Sequence, residues 1–268
     1  MNNRIRCCIF DWAGTTVDYG CFAPLEVFVR IFEKRGITIT EQEARAPMGM
    51  AKREHIRELC RIPRIASQWN DRFGADPADS DVESLYADFE PMLFECLSGY
   101  SRPIDGVIET VSLLKQKGVK IGSTTGYTRA MMEIVAPEAA RLGYSPDSLV
   151  TPDDVSEGRP APWMIYRNCE RLNIWPLSSV VKIGDTVADI KEGVNASVWS
   201  VGVIVGSSEM GLTKDAYDAL CDAEKQQNRQ RVRRVFSDAG ASFVIDTIAE
   251  LPDLIETIEE QMKGVFNG

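Results

Sequence analysis

The chain has 268 residues, 44% of them hydrophobic and 26% charged, which is enough apolar material for a sizeable folded core. This composition excludes disordered, collagen-like and membrane-spanning classes. The 30 basic and 40 acidic residues give a net charge of -10. Because binding to nucleic acid or to an anionic membrane needs a basic surface, we expect neither of these partners and expect a small-molecule ligand held at a local site.

The cysteines and the single histidine limit the kinds of site. The chain has 7 cysteines and no CxxC pair, so neither a disulfide framework nor a zinc ribbon fits. Residues 1–6 are polar and do not resemble a signal peptide, so we expect a reducing, cytoplasmic location. A zinc site built from two histidines of one chain is excluded, and a Ser-His-Asp triad would have to use His55.

Short apolar runs that end in small or acidic residues predict the strands of a parallel sheet. In chain order they are residues 6–10, 119–122, 179–183, 198–205 and 242–245. Helical patterns lie between them, for example at 106–117 and 161–172. This alternation indicates an α/β fold with a doubly wound, Rossmann-like core. Since the polar motifs follow the strands, we expect them to meet at the carboxyl edge of the sheet, where such folds bind ligands.

Residues 21–99 interrupt the alternation and favour helices only. The predicted helices cover residues 24–35, 48–60, 65–72 and 82–97. We interpret 21–99 as an inserted all-helical cap domain, with 1–20 and 100–268 forming the core domain and with hinges at Gly20 and 99–103. A helical cap beside a crevice suits a lid that closes on substrate and excludes water.

Two aspartates at predicted strand ends favour a metal site. Asp11 and Asp185 would repel each other unless a hard cation such as Mg²⁺ neutralised them. The metal would also screen an incoming anion, so Asp11 can attack phosphorus as a nucleophile. The hydroxyls of Thr15 and Thr125 and the N–H groups of glycine-containing loops can bind phosphate oxygens, and Arg159 adds a cation. A single aspartate after a strand is often only a turn residue, but this ordered set favours a site.

The ordered set resembles the haloacid dehalogenase superfamily of aspartate-nucleophile phosphotransferases over the whole chain. The resemblance implies Mg²⁺ held by the Asp11 carboxylate, the Ala13 backbone carbonyl and Asp185, with Asp189 in support. Most phosphatases of this superfamily have an aspartate two residues after the nucleophile, which protonates the leaving oxygen. Ala13 occupies that position here and cannot donate a proton. Either the leaving group is not an alkoxide, or the protein is not a hydrolase.

The predicted helix 48–60 carries a lysine in an apolar stripe. Met48, Lys52, His55, Ile56 and Leu59 share one face of that helix. Desolvation there would lower the pKa of Lys52, and a neutral amine is what imine formation with a carbonyl requires. The alternative is that Lys52 snorkels to solvent and His55 is an ordinary core residue. An imine is an electron sink that lets carbon leave phosphorus without an acid at position 13.

Three segments resemble the phosphonoacetaldehyde hydrolase (phosphonatase) family: FDWAGTTVDYGC at 10–21, PMGMAKREH at 47–55 and TTGYT at 124–128. The resemblance implies hydrolysis of phosphonoacetaldehyde to acetaldehyde and phosphate in 2-aminoethylphosphonate degradation. It implies Lys52 as the Schiff-base residue, Asp11 as the nucleophile and a homodimer formed through the cap domains. The implied substrate site consists of Thr15, Cys21, Met48, Gly49, His55, Thr125, Gly126, Tyr127 and Arg159, with His55 a candidate for proton transfer.

Two alternatives remain open from the sequence. One is a phosphate-ester hydrolase or mutase of the same superfamily that uses another group as its acid. The other, suggested by Ala13, is a catalytically inactive sensor of a phosphorylated ligand. The basic cluster at 229–234 favours a solvated helix face rather than an anion site.

Overall fold

The computed structural model describes residues 4–264, so residues 1–3 of the polar N-terminal segment lie outside it. Its strands are β1 (Cys7–Phe10), β2 (Lys120–Thr124), β3 (Ser148–Val150), β4 (Val180–Gly184), β5 (Trp199–Val203) and β6 (Phe243–Ile245). They form a parallel sheet in the order β3-β2-β1-β4-β5-β6. The central strands are buried along their whole length, as expected where helices cover both faces of a parallel sheet. The predicted doubly wound α/β fold is confirmed.

Helices fill the segments between the strands. They are α1 (Phe22–Glu33), α2 (Glu41–Arg45), α3 (Lys52–Arg61), α4 (Pro63–Phe73), α5 (Asp79–Cys96), α6 (Val107–Gln116), α7 (Arg129–Arg141), α8 (Trp163–Leu172), α9 (Val187–Asn195), α10 (Lys214–Ala219), α11 (Asp222–Asp238) and α12 (Leu251–Gly264). Among the described residues, no helix combines the length and apolar character needed to cross a membrane.

Helices α1 to α5 lie between β1 and β2 and form the helical insertion. Their packing follows from apolar residues at helical spacing: Phe28 of α1 stacks on Phe89 of α5 at 4.5 Å between ring centroids and on His55 of α3 at 3.8 Å. Buried apolar residues of the insertion are continuous with those on the sheet. The division into a cap domain at 21–99 and a core domain therefore stays an interpretation.

One predicted helix begins later than expected. Helix α3 begins at Lys52 and not at Met48, because Gly49 has a left-handed backbone with φ of +88° that ends any helical run before it. The predicted stripe is correct for the helical residues Lys52, His55 and Ile56, which are buried, whereas Met48 reaches the interior from the preceding turn. The short helix α2 and the three-residue strand β3 were missed, because elements this short carry little periodicity.

Candidate active site

The register of the central strands brings the predicted motifs to one edge of the sheet. Phe10, the last residue of β1, pairs with Ser123 of β2 and with Ile183 of β4. Asp11, Thr125 and Asp185 therefore leave the sheet at nearly the same level. The strand order reverses between β1 and β4, which opens a crevice beyond their carboxyl ends.

Three buried carboxylates meet in this crevice. Asp11, Asp185 and Asp189 each offer an oxygen within 4.8 Å of the others. The turn after β1 can pass this close to Asp185 only at a glycine: Gly14 has φ of +89°, and a Cβ there would lie 2.1 Å from Asp185 Oδ2. The Thr15 hydroxyl donates to Asp185 Oδ1 at 2.8 Å. Burial and the neighbouring carboxylates raise the pKa of Asp185 well above its ordinary value.

Arg159 connects the carboxylates on the floor of the crevice. Its Nη2 lies 2.7 Å from Asp11 Oδ1, its Nη1 lies 2.9 Å from Asp189 Oδ1, and its Nε lies 2.9 Å from Glu192 Oε2. The ammonium of Lys182 lies 2.6 Å from Asp189 Oδ1. Burial raises the pKa of the Asp11 carboxyl, and the charge of Arg159 opposes that rise. Arg159 thus orients Asp11 and favours its ionised form.

The donor set fits a hard divalent cation. The floor of the crevice consists of four carboxylates and two cations: Asp11, Asp185, Asp189, Glu192, Arg159 and Lys182. It therefore carries two uncompensated negative charges when all six groups are ionised. Carboxylate oxygens are the ligands that Mg²⁺ prefers. Asp189 is already engaged by Arg159, by Lys182 and by the Thr186 hydroxyl at 2.6 Å, so Asp11 and Asp185 are the better ligands. A buried acidic cluster that can hold a metal is therefore present, and its loading with Mg²⁺ stays a prediction.

Lys52 lies above the floor, at the start of α3. The side chain is buried, and its Nζ lies 4.9 Å from the ring centroid of Tyr127 and 6.0 Å from that of Phe28. Within residues 4–264 this nitrogen makes no hydrogen bond or ion pair. Burial lowers the pKa of Lys52, and the nearby carboxylates of Asp11 and Asp18 oppose that shift. An amine held in this way is neutral more often than an ordinary lysine.

His55 follows Lys52 by one helical turn and is buried in the neutral form. Its Nε2 lies 2.9 Å from the Ala44 carbonyl oxygen. Because a carbonyl cannot donate, Nε2 carries the proton and Nδ1 keeps its lone pair. Nδ1 is buried and has no hydrogen-bond partner among the described residues. Burial and the charge of Lys52 lower the pKa of His55 well below its ordinary value, so the free lone pair persists at neutral pH.

The loop before α3 lies directly on the core in a closed arrangement. A Cβ at Gly126 would meet the Met50 carbonyl oxygen at 2.5 Å, and a Cβ at Gly49 would meet Thr186 Oγ1 at 2.2 Å. Arg159 Nη1 also donates to the Gly49 carbonyl oxygen at 3.4 Å. The predicted residues Met48, Cys21, Thr125 and Tyr127 are all buried, and the half-buried Ala13 lies in the turn after Asp11. The Tyr127 ring faces Lys52, and the Tyr127 N–H donates to the Thr125 hydroxyl at 3.0 Å, whereas the assignment of the whole predicted set to one substrate site stays a prediction.

Comparisons with known proteins agree with this architecture. A family model for haloacid dehalogenase-like hydrolases matches residues 5–197. The chain belongs to this family. A phosphonoacetaldehyde hydrolase of Bacillus cereus (strain G9842) is 54% identical over 258 residues, covering 96% of this chain and 98% of the relative. The crystal structure of a phosphonoacetaldehyde hydrolase-like protein from Oleispira antarctica has a TM-score of 0.94 and 36% identity, covering 96% of this chain and 94% of that chain.

One further relative is a longer protein. The bifunctional phosphonoacetaldehyde hydrolase/aminoethylphosphonate transaminase of Clostridioides difficile (strain 630) is 57% identical over 264 residues. The match covers 98% of this chain and 42% of the relative, so the chain spans less than half of that protein. The family predicted from the motifs is confirmed.

Three residues of this hydrolase site were missed from the sequence. Glu192 of α9 accepts from Arg159 and, at 3.1 Å, from the Thr124 hydroxyl. Thr124 in turn accepts from Arg159 Nη2 at 2.7 Å. Two signals in the sequence could have indicated Lys182 and Glu192. Lys182 is a charged residue inside the apolar run of β4, and a charge in a buried strand needs a partner. Glu192 follows Asp189 by three residues and so lies on the same helix face.

Proposed function

We propose that this chain hydrolyses phosphonoacetaldehyde to acetaldehyde and phosphate by cleaving its carbon–phosphorus bond, as in the degradation of 2-aminoethylphosphonate. One observation carries the proposal: the buried amine of Lys52, which has no ion pair among the described residues, lies above the buried carboxylate of Asp11, where Ala13 leaves no acid for an alkoxide leaving group. The names of the relatives from Bacillus cereus and Oleispira antarctica support the same substrate.

The first step is condensation of the Lys52 amine with the aldehyde, which releases water. The iminium withdraws electrons from the adjacent carbon, which bears the phosphorus. His55, with a free Nδ1 lone pair one turn away, is suited to move protons during this condensation. Cys21, Met48 and Tyr127 enclose the aldehyde end and exclude water from it.

The second step is attack of the Asp11 carboxylate on phosphorus. The carbon leaves as an enamine, so no acid is needed at position 13. The enamine takes a proton at its terminal carbon and becomes an iminium again. Water then cleaves the aspartyl phosphate, and hydrolysis of the iminium returns free Lys52 and acetaldehyde. Arg159 keeps Asp11 oriented, while Thr15, Thr125 and the N–H of Gly126 bind phosphoryl oxygens.

Mg²⁺ is the metal that we propose for the floor of the crevice. Asp11, Asp185 and the Ala13 carbonyl would hold it, with Asp189 in support. When bound, the ion supplies positive charge that lets an anionic carboxylate and an anionic phosphoryl group approach each other. The two uncompensated negative charges of the floor support a divalent rather than a monovalent ion.

The remaining assignments rest on the resemblance and on composition. We propose that residues 21–99 act as a cap that closes over the core, and that two copies pair through their caps. The free cysteines of the described chain favour a reducing, cytoplasmic setting. Light scattering of the purified protein tests the dimer.

The decisive experiment measures acetaldehyde and phosphate released from phosphonoacetaldehyde, with Mg²⁺ and with EDTA. We expect acetaldehyde and phosphate to be released in equal amounts with Mg²⁺ and neither to be released with EDTA. Lys52→Arg is the matched variant, because it keeps the cation but cannot form an imine, and it should release neither product. Phosphate release from phosphate esters alone would favour an esterase or mutase. Ligand binding without turnover, unchanged in Lys52→Arg, would favour a sensor.

A further inference from the structure

Arg45, at the end of α2, connects the helical insertion to two other parts of the chain. Its Nη1 donates to the Gly20 carbonyl oxygen in the hinge at 2.7 Å, and to the carbonyl oxygen and Oγ of Ser208 at 3.3 and 3.4 Å. The guanidinium lies over the ring of Phe22 at 4.7 Å. Its Nε is also close to Gly211, where a Cβ would lie 3.3 Å away. One arginine therefore bridges the insertion, the hinge and the loop that follows β5.

Ser208, in the loop after β5, is also hydrogen-bonded to a carboxylate of the floor. The backbone N–H of Ser208 donates to Asp185 Oδ2 at 2.8 Å. The Gly20 N–H donates to the Gly206 carbonyl oxygen at 2.7 Å, so the hinge is attached to this loop as well. A continuous path of hydrogen bonds runs from Arg45 through Ser208 to Asp185. No sequence motif or family resemblance assigned a role to Arg45 or Ser208.

The closed insertion must open for substrate to enter. Lys52 and Asp11 are each only 4% exposed, and the loop at Gly49 lies in contact with the core. Moving α2 away from the core would break the contacts between Arg45 and Ser208. The loop after β5 would then no longer be hydrogen-bonded to Arg45 of the insertion, although the Ser208 N–H in that loop would still donate to Asp185.

We propose that Arg45 is a positioning residue that fixes Ser208, and through it the Asp185 carboxylate, when the insertion closes. The phosphoryl-transfer floor is then fully ordered only under a closed cap. The inference rests on the proposed function for the metal-holding role of Asp185, and it is independent of the substrate.

The test compares Arg45→Gln and Arg45→Lys with Arg61→Gln, a control whose arginine is exposed and, among the residues that the structure describes, pairs with Glu58 alone. The first readout is the rate of thiol alkylation at Cys21, which is buried in the closed form, mapped by mass spectrometry without substrate. The exposed Cys221 serves as the internal reference. Loss of a charge-assisted hydrogen bond should raise alkylation of Cys21 in Arg45→Gln about tenfold. Arg61→Gln should not change it.

The second readout is Mg²⁺ binding by calorimetry. We expect Arg45→Gln to weaken Mg²⁺ binding about three- to tenfold. This is less than the 10–100-fold loss that is typical when a residue hydrogen-bonded directly to a metal-ligating side chain is replaced. Arg45→Lys keeps a cation with three donors and should restore at least half of both effects. Should Arg45→Gln not fold, Arg45→Met, which keeps the stem on Phe22, replaces it under the same criteria.

Four results would overturn the proposal. Faster alkylation with unchanged Mg²⁺ binding would mean that Arg45 holds the insertion but not the metal floor. No change in either readout would remove the link altogether. A rise in alkylation matched by an equal fall in global stability, or failure of both neutral variants to fold, would make the role merely structural. Because neither readout uses substrate, these outcomes are distinguishable from failure of the product assay.

Discussion

Replacing Lys52 by methionine is expected to stabilise the fold while it abolishes the activity. The lysine is 4% exposed and contacts two aromatic rings, and it has no carboxylate at ion-pair distance among the described residues. Cation–π contacts stabilise by about 0.5–2 kcal/mol, whereas a desolvated ammonium without a paired anion costs several kcal/mol. Methionine has a similar volume and no charge. We therefore expect Lys52→Met to raise the free energy of unfolding by about 1–3 kcal/mol at neutral pH.

The pH dependence of this gain has a definite sign. Burial lowers the pKa of Lys52 in the folded chain from its ordinary value of 10.5. Between the folded and unfolded pKa values, the unfolded chain binds more protons, so the free energy of unfolding of the wild type rises with pH. One proton contributes up to about 1.4 kcal/mol per pH unit. The advantage of Lys52→Met should shrink with that slope, measured by denaturant unfolding in EDTA between about pH 7 and pH 10.

Lys182 offers a matched control for the same substitution. It is also buried, but its Nζ lies 2.6 Å from Asp189 and 3.5 Å from Glu192. Lys182→Met leaves buried carboxylates without this partner and should destabilise by about 3–5 kcal/mol. If Lys52→Met proves equally destabilising, or if its advantage does not decline with pH, Lys52 is not a desolvated, unpaired amine and the argument for imine formation fails.

Two further predictions concern the closed contact and the nucleophile. Gly49→Ala and Gly74→Ala both place a Cβ at positive φ, +88° and +81°, at a backbone cost of about 1 kcal/mol, but only Gly49 has a close neighbour, Thr186, at 2.2 Å. Gly49→Ala should lower kcat/KM at least about tenfold and Gly74→Ala should not; equal effects in steady-state kinetics would contradict the closed contact. Asp11→Asn should lower phosphate release by about 10³-fold or more, yet borohydride with substrate should still attach a covalent adduct at Lys52, seen by mass spectrometry. Absence of that adduct would place imine formation after phosphoryl transfer.

The position of the site was predictable from the order of motifs along the chain. In a parallel sheet every strand ends at the same edge, so Asp11, Thr125 and Asp185 had to meet once the strands were recognised. The start of α3 was not predictable from periodicity, because the left-handed backbone at Gly49 leaves no periodic signal and lies against Thr186, more than a hundred residues further along the chain. The role of Arg45 was equally hidden, since its contacts with Ser208 exist only in the folded, closed chain.

The two buried lysines show why a sequence pattern alone leaves chemistry open. Lys52 and Lys182 both occur among apolar residues, and either could have been the neutral amine. The fold separates them by counter-charge: Lys182 shares Asp189 and Glu192 with Arg159, whereas Lys52 faces aromatic rings. Anions of the floor are paired with these two cations, and Lys52 has no carboxylate at ion-pair distance within residues 4–264. The same arrangement keeps the floor negative enough for a divalent ion and the amine neutral enough to attack a carbonyl, so the two halves of the proposed reaction depend on one distribution of charge.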